Sequence, residues 1–377
     1  MLDIRPDAPA RPASARARLC SDGVALGADG GLALERLAAE LLRPWEKAQK
    51  ILLAVSGGPD SIALMLLASR WMRARAERGL AAPRLHVGTV DHGLRAESRA
   101  EAEAVEAWAK AAGLPHEILT WDSGKPTTRI QERARAARYE LLCACAARLG
   151  ADMIATAHHA DDQAETILFR LTRGSGPGGL AGMSERIFRL GLIHSRPLLS
   201  CDKATLVAYC KARRHDFIAD PSNRNPAFAR TRMRVLLNLL AEEGLDRAAL
   251  LRLGRRAARA EEALAARARS VSEDVTLRGA GGSVIDMAQL AREPQEILIR
   301  VVAAQILEAS ARIGPLRLER LEGLAMSLMQ ACRDGRTYAA TLGGAALCLD
   351  ASLRLSIRAE AARRARPKPK QKDAENR

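Results

Sequence analysis

The chain has 377 residues, 48% of them hydrophobic and 27% charged, a composition that suits two or three soluble globular domains. No window approaches the roughly 18 uninterrupted apolar residues of a membrane span, so no membrane partner is expected. Lys and Arg outnumber Asp and Glu by 59 to 44, a net charge of +15, which favours a polyanionic partner.

Aromatic residues are only 3%, so contacts to nucleic acid would lean on arginine rather than on stacked bases. The cysteines (Cys20, Cys143, Cys145, Cys201, Cys210, Cys332, Cys348) form no C-x-x-C pair. That pattern argues against a disulfide framework or a paired-cysteine metal site, and for a reducing cytoplasmic location.

Residues 1–30 are Arg-rich but carry Asp3 and Asp7 and no apolar run, and are expected to be a disordered lead-in rather than a secretory signal. "LALERLAAELLRPWEKA" spaces apolar and charged residues as a helix does, and Pro44 should limit or bend it. Strand and helix patterns then alternate. "KILLAV", "RLHVGTVD", "PHEILTW" and "ADMIATAH" read as strands. Between and after them, "SIALMLLASRWMRARAER", "SRAEAEAVEAWAKAAG", "IQERARAARYELLCACAARLG" and "DDQAETILFRLTRG" read as helices. This order predicts an α/β fold over residues 31–220, a parallel doubly wound sheet that binds ligands at the carboxyl ends of its strands.

"DPSNRNPAFARTRMRVLLNLL" opens with turn chemistry and enters a helix. Residues 236–269 read as nearly continuous helix, with breaks expected at Gly244 and Gly254, so 221–272 is taken as a helical connector. Residues 273–360 return to short strands and two helices, a small α+β domain expected to bind RNA. Residues 361–377 form a basic tail expected to be disordered.

The chemistry is densest at "ILLAVSGGPDSIALMLL". The Ser-Gly-Gly-Pro-Asp-Ser turn between strand and helix can bring backbone N–H groups and the helix's positive end to an anion. It lacks the lysine and the spacing of a phosphoryl-transfer loop. Ser56, Gly57, Gly58, Pro59 and Ser61 therefore suit holding pyrophosphate while an α-phosphate is attacked. Asp60 would repel that phosphate unless Mg²⁺ bridges the two, which makes it the candidate metal ligand.

"SGGPDS" resembles the pyrophosphate-binding loop of the N-type ATP pyrophosphatases, the PP-loop superfamily. Within that superfamily "VDHGLRAES", "QERARAARYELL", "ATAHHADDQAET", "RLTRGSGPGGLAGM", "RPLL" and "DPSN" with "RTRMR" resemble, in this order, the tRNA(Ile)-lysidine synthetase family. The motif-dense resemblance spans about residues 48–235 and is looser beyond. It implies a ligase that uses ATP and Mg²⁺ and joins free lysine to carbon 2 of the wobble cytidine of an isoleucine tRNA with a CAU anticodon. The reaction would pass through an adenylated cytidine and release AMP and pyrophosphate. A tRNA-thiolating relative, or a catalytically silent RNA-binding protein, are the alternatives. The sequence sets no oligomeric state; a homodimer is one arrangement.

Asp91 and His92 end the second strand at the carboxyl edge, where they could meet adenine or ribose or simply cap a turn. A helix starting near His159 would gather His158, Asp161, Asp162 and Glu165 on one side. Capping needs one carboxylate, not three beside a histidine; an H-x-x-D metal site is another option. The resemblance assigns Asp161, Asp162 and Glu165 to the cationic lysine substrate, and His158 and Asp161 to catalysis. It also implies an arginine at the ATP or adenylate site, for which Arg135 is the candidate. The glycine-rich loop "RGSGPGGLAGM" could cover the site and exclude water. Arg224, Arg230, Arg232 and Arg234 are candidates for tRNA backbone contact.

Overall fold

The computed structural model describes residues 30–122, 128, 130–218, 229–279, 282–310 and 316–360. The expected lead-in, the "DPSN" segment with Arg224, and the basic tail lie outside the described residues, as does the side chain of Arg230. The described residues form two compact units, one of residues 30–175 and 180–257, the other of residues 176–179 and 258–360. Among them no helix is long and apolar enough to cross a membrane.

In the first unit, α1 (Gly30–Leu41) ends in a short 3-10 turn at Arg43–Trp45, where Pro44 sits. β1 (Lys50–Ala54), β2 (Arg84–Asp91), β3 (His116–Thr120) and β4 (Met153–Ala155) pair in parallel. The full order is β3-β2-β1-β4-β6-β5, with β5 (Arg186–Arg189) and β6 (Leu192–Ser195) closing one edge. β1 is apolar throughout because both of its faces are covered. Ile51 and Leu53 join the core that holds Ile62, Leu64 and Trp71, whereas Leu52 packs with Leu142 and Ile154.

Helices α2 (Pro59–Glu77), α3 (Ser98–Ala111), α4 (Ile130–Leu149) and α5 (Ala160–Leu171) fall where the sequence pattern puts them. This is the expected doubly wound sheet. The β5–β6 hairpin is a feature the sequence reading did not contain. It is antiparallel, and its turn places Leu190 and Gly191 at φ 52° and 79°. A two-residue turn with both φ positive usually advertises itself by Asn-Gly or Asp-Gly. Leu-Gly gives no such signal.

Beyond α6 (Pro177–Leu180) and α7 (Lys203–Ala212) come α8 (Ala229–Glu242) and α9 (Arg247–Val275). The chain breaks at Gly244, at φ 85°, as expected. Gly254 does not break the helix. A Cβ there would lie 2.6 Å from Ile167 Cδ1, so this glycine permits close packing of α9 on α5.

The second unit is a five-stranded sheet in the order β7-β8-β11-β10-β9, formed by β7 (Thr276–Gly279), β8 (Gly282–Asp286), β9 (Tyr338–Leu342), β10 (Ala345–Leu349) and β11 (Arg354–Ala359). All of its pairings are antiparallel. After a short turn of helix, α10 (Met287–Leu290), the helices α11 (Gln295–Ala309) and α12 (Leu318–Arg333) complete a core with Ile299, Val302, Leu328 and Ile357.

Candidate active site

The glycine turn follows β1 directly. Val55 N donates to Gly88 O at 3.1 Å, extending the strand pairing to the lip of the turn. Gly57 takes φ 85°, and a Cβ there would meet Ile218 Cδ1 at 2.3 Å; the Ile218 amide donates to Gly57 O at 2.9 Å. Only glycine meets both demands. Ser61 Oγ donates to Gly58 O at 2.9 Å and receives Ser56 N at 3.2 Å. These bonds hold the turn open at the start of α2, whose N-cap, Gly58, offers no side chain to the helix amides. A helix start left in that condition is an anion site.

Asp60 stands in the first turn of α2. Its Oδ2 lies 3.5 Å from His159 Nε2 and 3.7 Å from Lys203 Nζ, while its Oδ1 is buried without a hydrogen-bond partner. A buried carboxylate oxygen left alone is costly, by about 1–3 kcal/mol. It could accept an incoming ligand atom. Among the described residues no group of three or more His, Cys, Asp or Glu side chains could hold a metal alone. One Asp60 oxygen completed by nucleotide phosphates and water fits the manner in which Mg²⁺ is bound at phosphate sites.

The second half of the site is the N-terminus of α5. The helix begins at Ala160, and His159 is its N-cap, one position later than a gathering on His158 requires. His159 is 2% exposed and lies among three carboxylates: Asp60, Asp161 (3.4 Å from Nδ1) and Asp162 (3.4 Å from Nε2). These contacts are close enough for ion pairing and long for hydrogen bonds. Burial opposes its charge, but Asp161 and Asp60, with the field of Asp162, prevail and push the imidazole up to about 9. His159 is a cation at neutral pH.

His158 instead places Nδ1 2.9 Å from Thr156 Oγ1. Asp161 accepts from the Lys203 amide at 3.0 Å and from Arg247 Nη1 at 3.1 Å. Burial raises its pKa, but His159, the Lys203 amide and Arg247 overcome that and hold the carboxyl far below the usual range. Asp162 Oδ2 accepts from the His159 amide at 3.2 Å. Glu165, a turn further on and 5% exposed, is ion-paired with Arg234. The structure thus brings Asp60, Asp161 and Asp162 together, and supplies His159, Lys203 and Arg247, which the sequence reading missed. The adjacent His pair was the signal for the first; no local pattern marks the other two.

Asp91 Oδ1 accepts from Ser98 Oγ at 2.6 Å and from the Gly93 amide at 3.0 Å. Burial works against the charge, yet these two donors keep the carboxyl below its ordinary range. His92 Nδ1 accepts from the Leu94 amide at 3.1 Å. Both residues sit at the carboxyl edge as expected and both shape the turn there. Arg135, exposed on the first turns of α4, lies over the Tyr139 ring at 5.2 Å. Arg232 is exposed on α8, whereas Arg234 turns to Glu165. The tip of the glycine-rich loop, residues 176–179, belongs to the second unit and carries the start of α6. Gly178 leaves room there for the Glu261 carboxylate, 3.0 Å from where a Cβ would stand.

The model of the PP-loop domain family matches residues 32–240. A tRNA(Ile)-lysidine synthase from Methylobacterium sp. (strain 4-46) is 46% identical over 339 residues, 87% of this chain and 95% of that protein. One from Rhodopseudomonas palustris is 45% identical over 320 residues, 83% of this chain and 91% of that protein. Both matches run well beyond the motif-dense stretch. Among solved structures, a U34-tRNA thiolase, NcsA from Methanococcus maripaludis, is 16% identical, with a TM-score of 0.51, and covers 60% of this chain and 79% of that one. That likeness is one of fold.

Proposed function

The chain belongs to the tRNA(Ile)-lysidine synthase family of ATP-using PP-loop ligases, and on that premise we propose that it joins free lysine to carbon 2 of the wobble cytidine of an isoleucine tRNA with a CAU anticodon. In the first step the cytidine 2-carbonyl oxygen attacks the α-phosphorus of ATP and pyrophosphate leaves. In the second, the lysine ε-amine attacks carbon 2 of the adenylated base and AMP leaves. The modified base then pairs as a uridine does.

Each residue has a part in this scheme. The turn Ser56–Ser61 and the positive end of α2 would hold the pyrophosphate, which needs no lysine because the bond that breaks is α–β. Asp60 Oδ1 would be the protein's ligand to Mg²⁺, an ion that, when bound, neutralises phosphate charge. Asp91 and His92 would face the nucleoside, and Arg135 the adenylate. Asp161, Asp162 and Glu165 would receive the lysine ammonium, sharing or exchanging the cations they now hold.

The amine is a nucleophile only after losing a proton. His159, whose pKa the surrounding carboxylates raise, is the less suited acceptor and would hold the carboxylates in place. His158, with Nδ1 on Thr156 Oγ1, would accept the proton at Nε2. Arg224, Arg230 and Arg232 would follow the tRNA backbone, while Arg234 is engaged by Glu165.

The observation that carries the reading is the buried, partnerless Asp60 Oδ1 at the mouth of a lysine-free glycine turn. The thiolation alternative has less support, because burial pushes the thiols of Cys145 and Cys210 up to about 11 and about 12, far from the thiolate that sulfur transfer uses. The test combines ATP, labelled lysine and the minor isoleucine tRNA. Wild type should release AMP and pyrophosphate as label enters the tRNA, and Asp60→Ala should lower incorporation by about 10³-fold or more. Release of ADP, or undiminished incorporation by the variant, contradicts the scheme.

A further inference from the structure

We propose that Arg196, with Arg189 beside the Tyr139 ring, forms a second phosphate-binding site, separate from the glycine turn, that takes a backbone phosphate of the RNA substrate. It rests on the ligase reading only for the identity of that RNA.

Arg196 follows β6 immediately, two strands along the sheet from the turn after β1. Its amide donates to Glu185 O and its Nη1 to Ser184 O, both at 2.7 Å, which fixes the guanidinium at the carboxyl edge. Its Nε is buried with no hydrogen-bond partner. Tyr139, from α4, stands beside it with Arg135 5.2 Å and Arg189 5.7 Å from the ring centre, and with the buried His194 ring at 5.7 Å. Arg170, on α5, donates to Gly182 O at 2.7 Å and adds its charge to the field at Arg196.

These cations are gathered against their own repulsion. Burial lowers the pKa of Arg196 most, and Arg135 and Arg189 lower it further, against a raising contribution from Tyr139. Burying a cation among cations is unfavourable unless an anion completes the set. A phosphate suits it, because its oxygens can accept from Nε and from the neighbouring forks together. The β5–β6 hairpin that carries Arg189 also exposes Arg186, Phe188 (50%) and Leu190 (55%). Arginines beside an exposed aromatic ring suit unpaired RNA better than a free nucleotide.

Two variants test it. Arg189→Ala removes an exposed side chain, and Arg196→Lys keeps a charge while removing the planar fork. The full chain is titrated with unmodified isoleucine tRNA over a range of salt concentrations, and separately with ATP. The tRNA dissociation constant should rise roughly tenfold for Arg196→Lys, and the salt slope for Arg189→Ala should fall by about one phosphate contact. ATP affinity should stay as in wild type.

A loss confined to ATP overturns the assignment to RNA. Wild-type binding of both ligands by both variants, with unaltered melting, overturns the proposal. The readout is binding, so a wild-type protein that binds tRNA but transfers no lysine would sink the reaction scheme and leave this site to be judged by the same titration.

Discussion

Each unit buries a cluster of charges, one around Arg300 and one around His159, and the two are finished to different standards. In the second unit Arg300, whose side chain is 4% exposed, gives Nη1 and Nη2 to the two Glu261 oxygens at 2.7 and 2.8 Å and Nε to Glu296 at 2.8 Å. Every nitrogen of the guanidinium is satisfied. In the first unit His159 reaches its carboxylates only at 3.4–3.5 Å, and both its Nδ1 and Asp60 Oδ1 lack a hydrogen-bond partner. A cluster that serves the fold alone closes its bonds, since each buried group left open costs about 1–3 kcal/mol. One that stays open leaves room for atoms that arrive later.

The largest effect that would sharpen this contrast is on stability. Arg300→Met should cost about 3 kcal/mol in urea unfolding, because it strands Glu261 and Glu296, while lysine incorporation per folded molecule stays unchanged. Adding Glu261→Leu should recover most of the loss. A fall in turnover of folded protein would break the distinction between the clusters.

A smaller effect is expected from pH. His159 has its folded pKa raised from 6.5 to about 9. Its contribution to stability is complete below about pH 6.5 and is lost as pH rises through about 9. The wild-type melting temperature should therefore decline across that window, and that of His159→Gln should decline less. Equal slopes by calorimetry would show that the carboxylates do not hold an imidazolium. Least of all, Gly254→Ala should cost about 1 kcal/mol, since Ile167 Cδ1 is the flexible end of a side chain and can move. A break of α9 at that position would instead leave the substitution neutral or favourable in thermal unfolding.

The sheet was legible because its strands are apolar runs between long helical patterns, each bounded by Gly, Pro or a charged turn. The glycine turn was legible for the same local reason, since residues 56–61 carry their own geometry. The edge hairpin was not, because Leu190-Gly191 lacks turn chemistry and "RIFR" alternates weakly. Within the site, the acidic residues could be read from spacing, but the choice between His158 and His159 depended on one residue of helix register. Lys203, Arg247 and Arg196 come from distant segments, and only the packing of those segments brings them to the sheet edge. Gly254 misled because glycine within a helical pattern signals a break and a close approach equally well.

The amide of Ile218 and its side chain enclose Gly57 from two directions, one as donor to its carbonyl and the other as filler of the space a methyl would need. The turn is thereby keyed to a residue 161 positions away in sequence, and a volume change at 218 is transmitted to it without any substitution in the turn itself. Trimming Ile218 would loosen the key and leave the lock intact, so the shape of the turn can be adjusted from a distance.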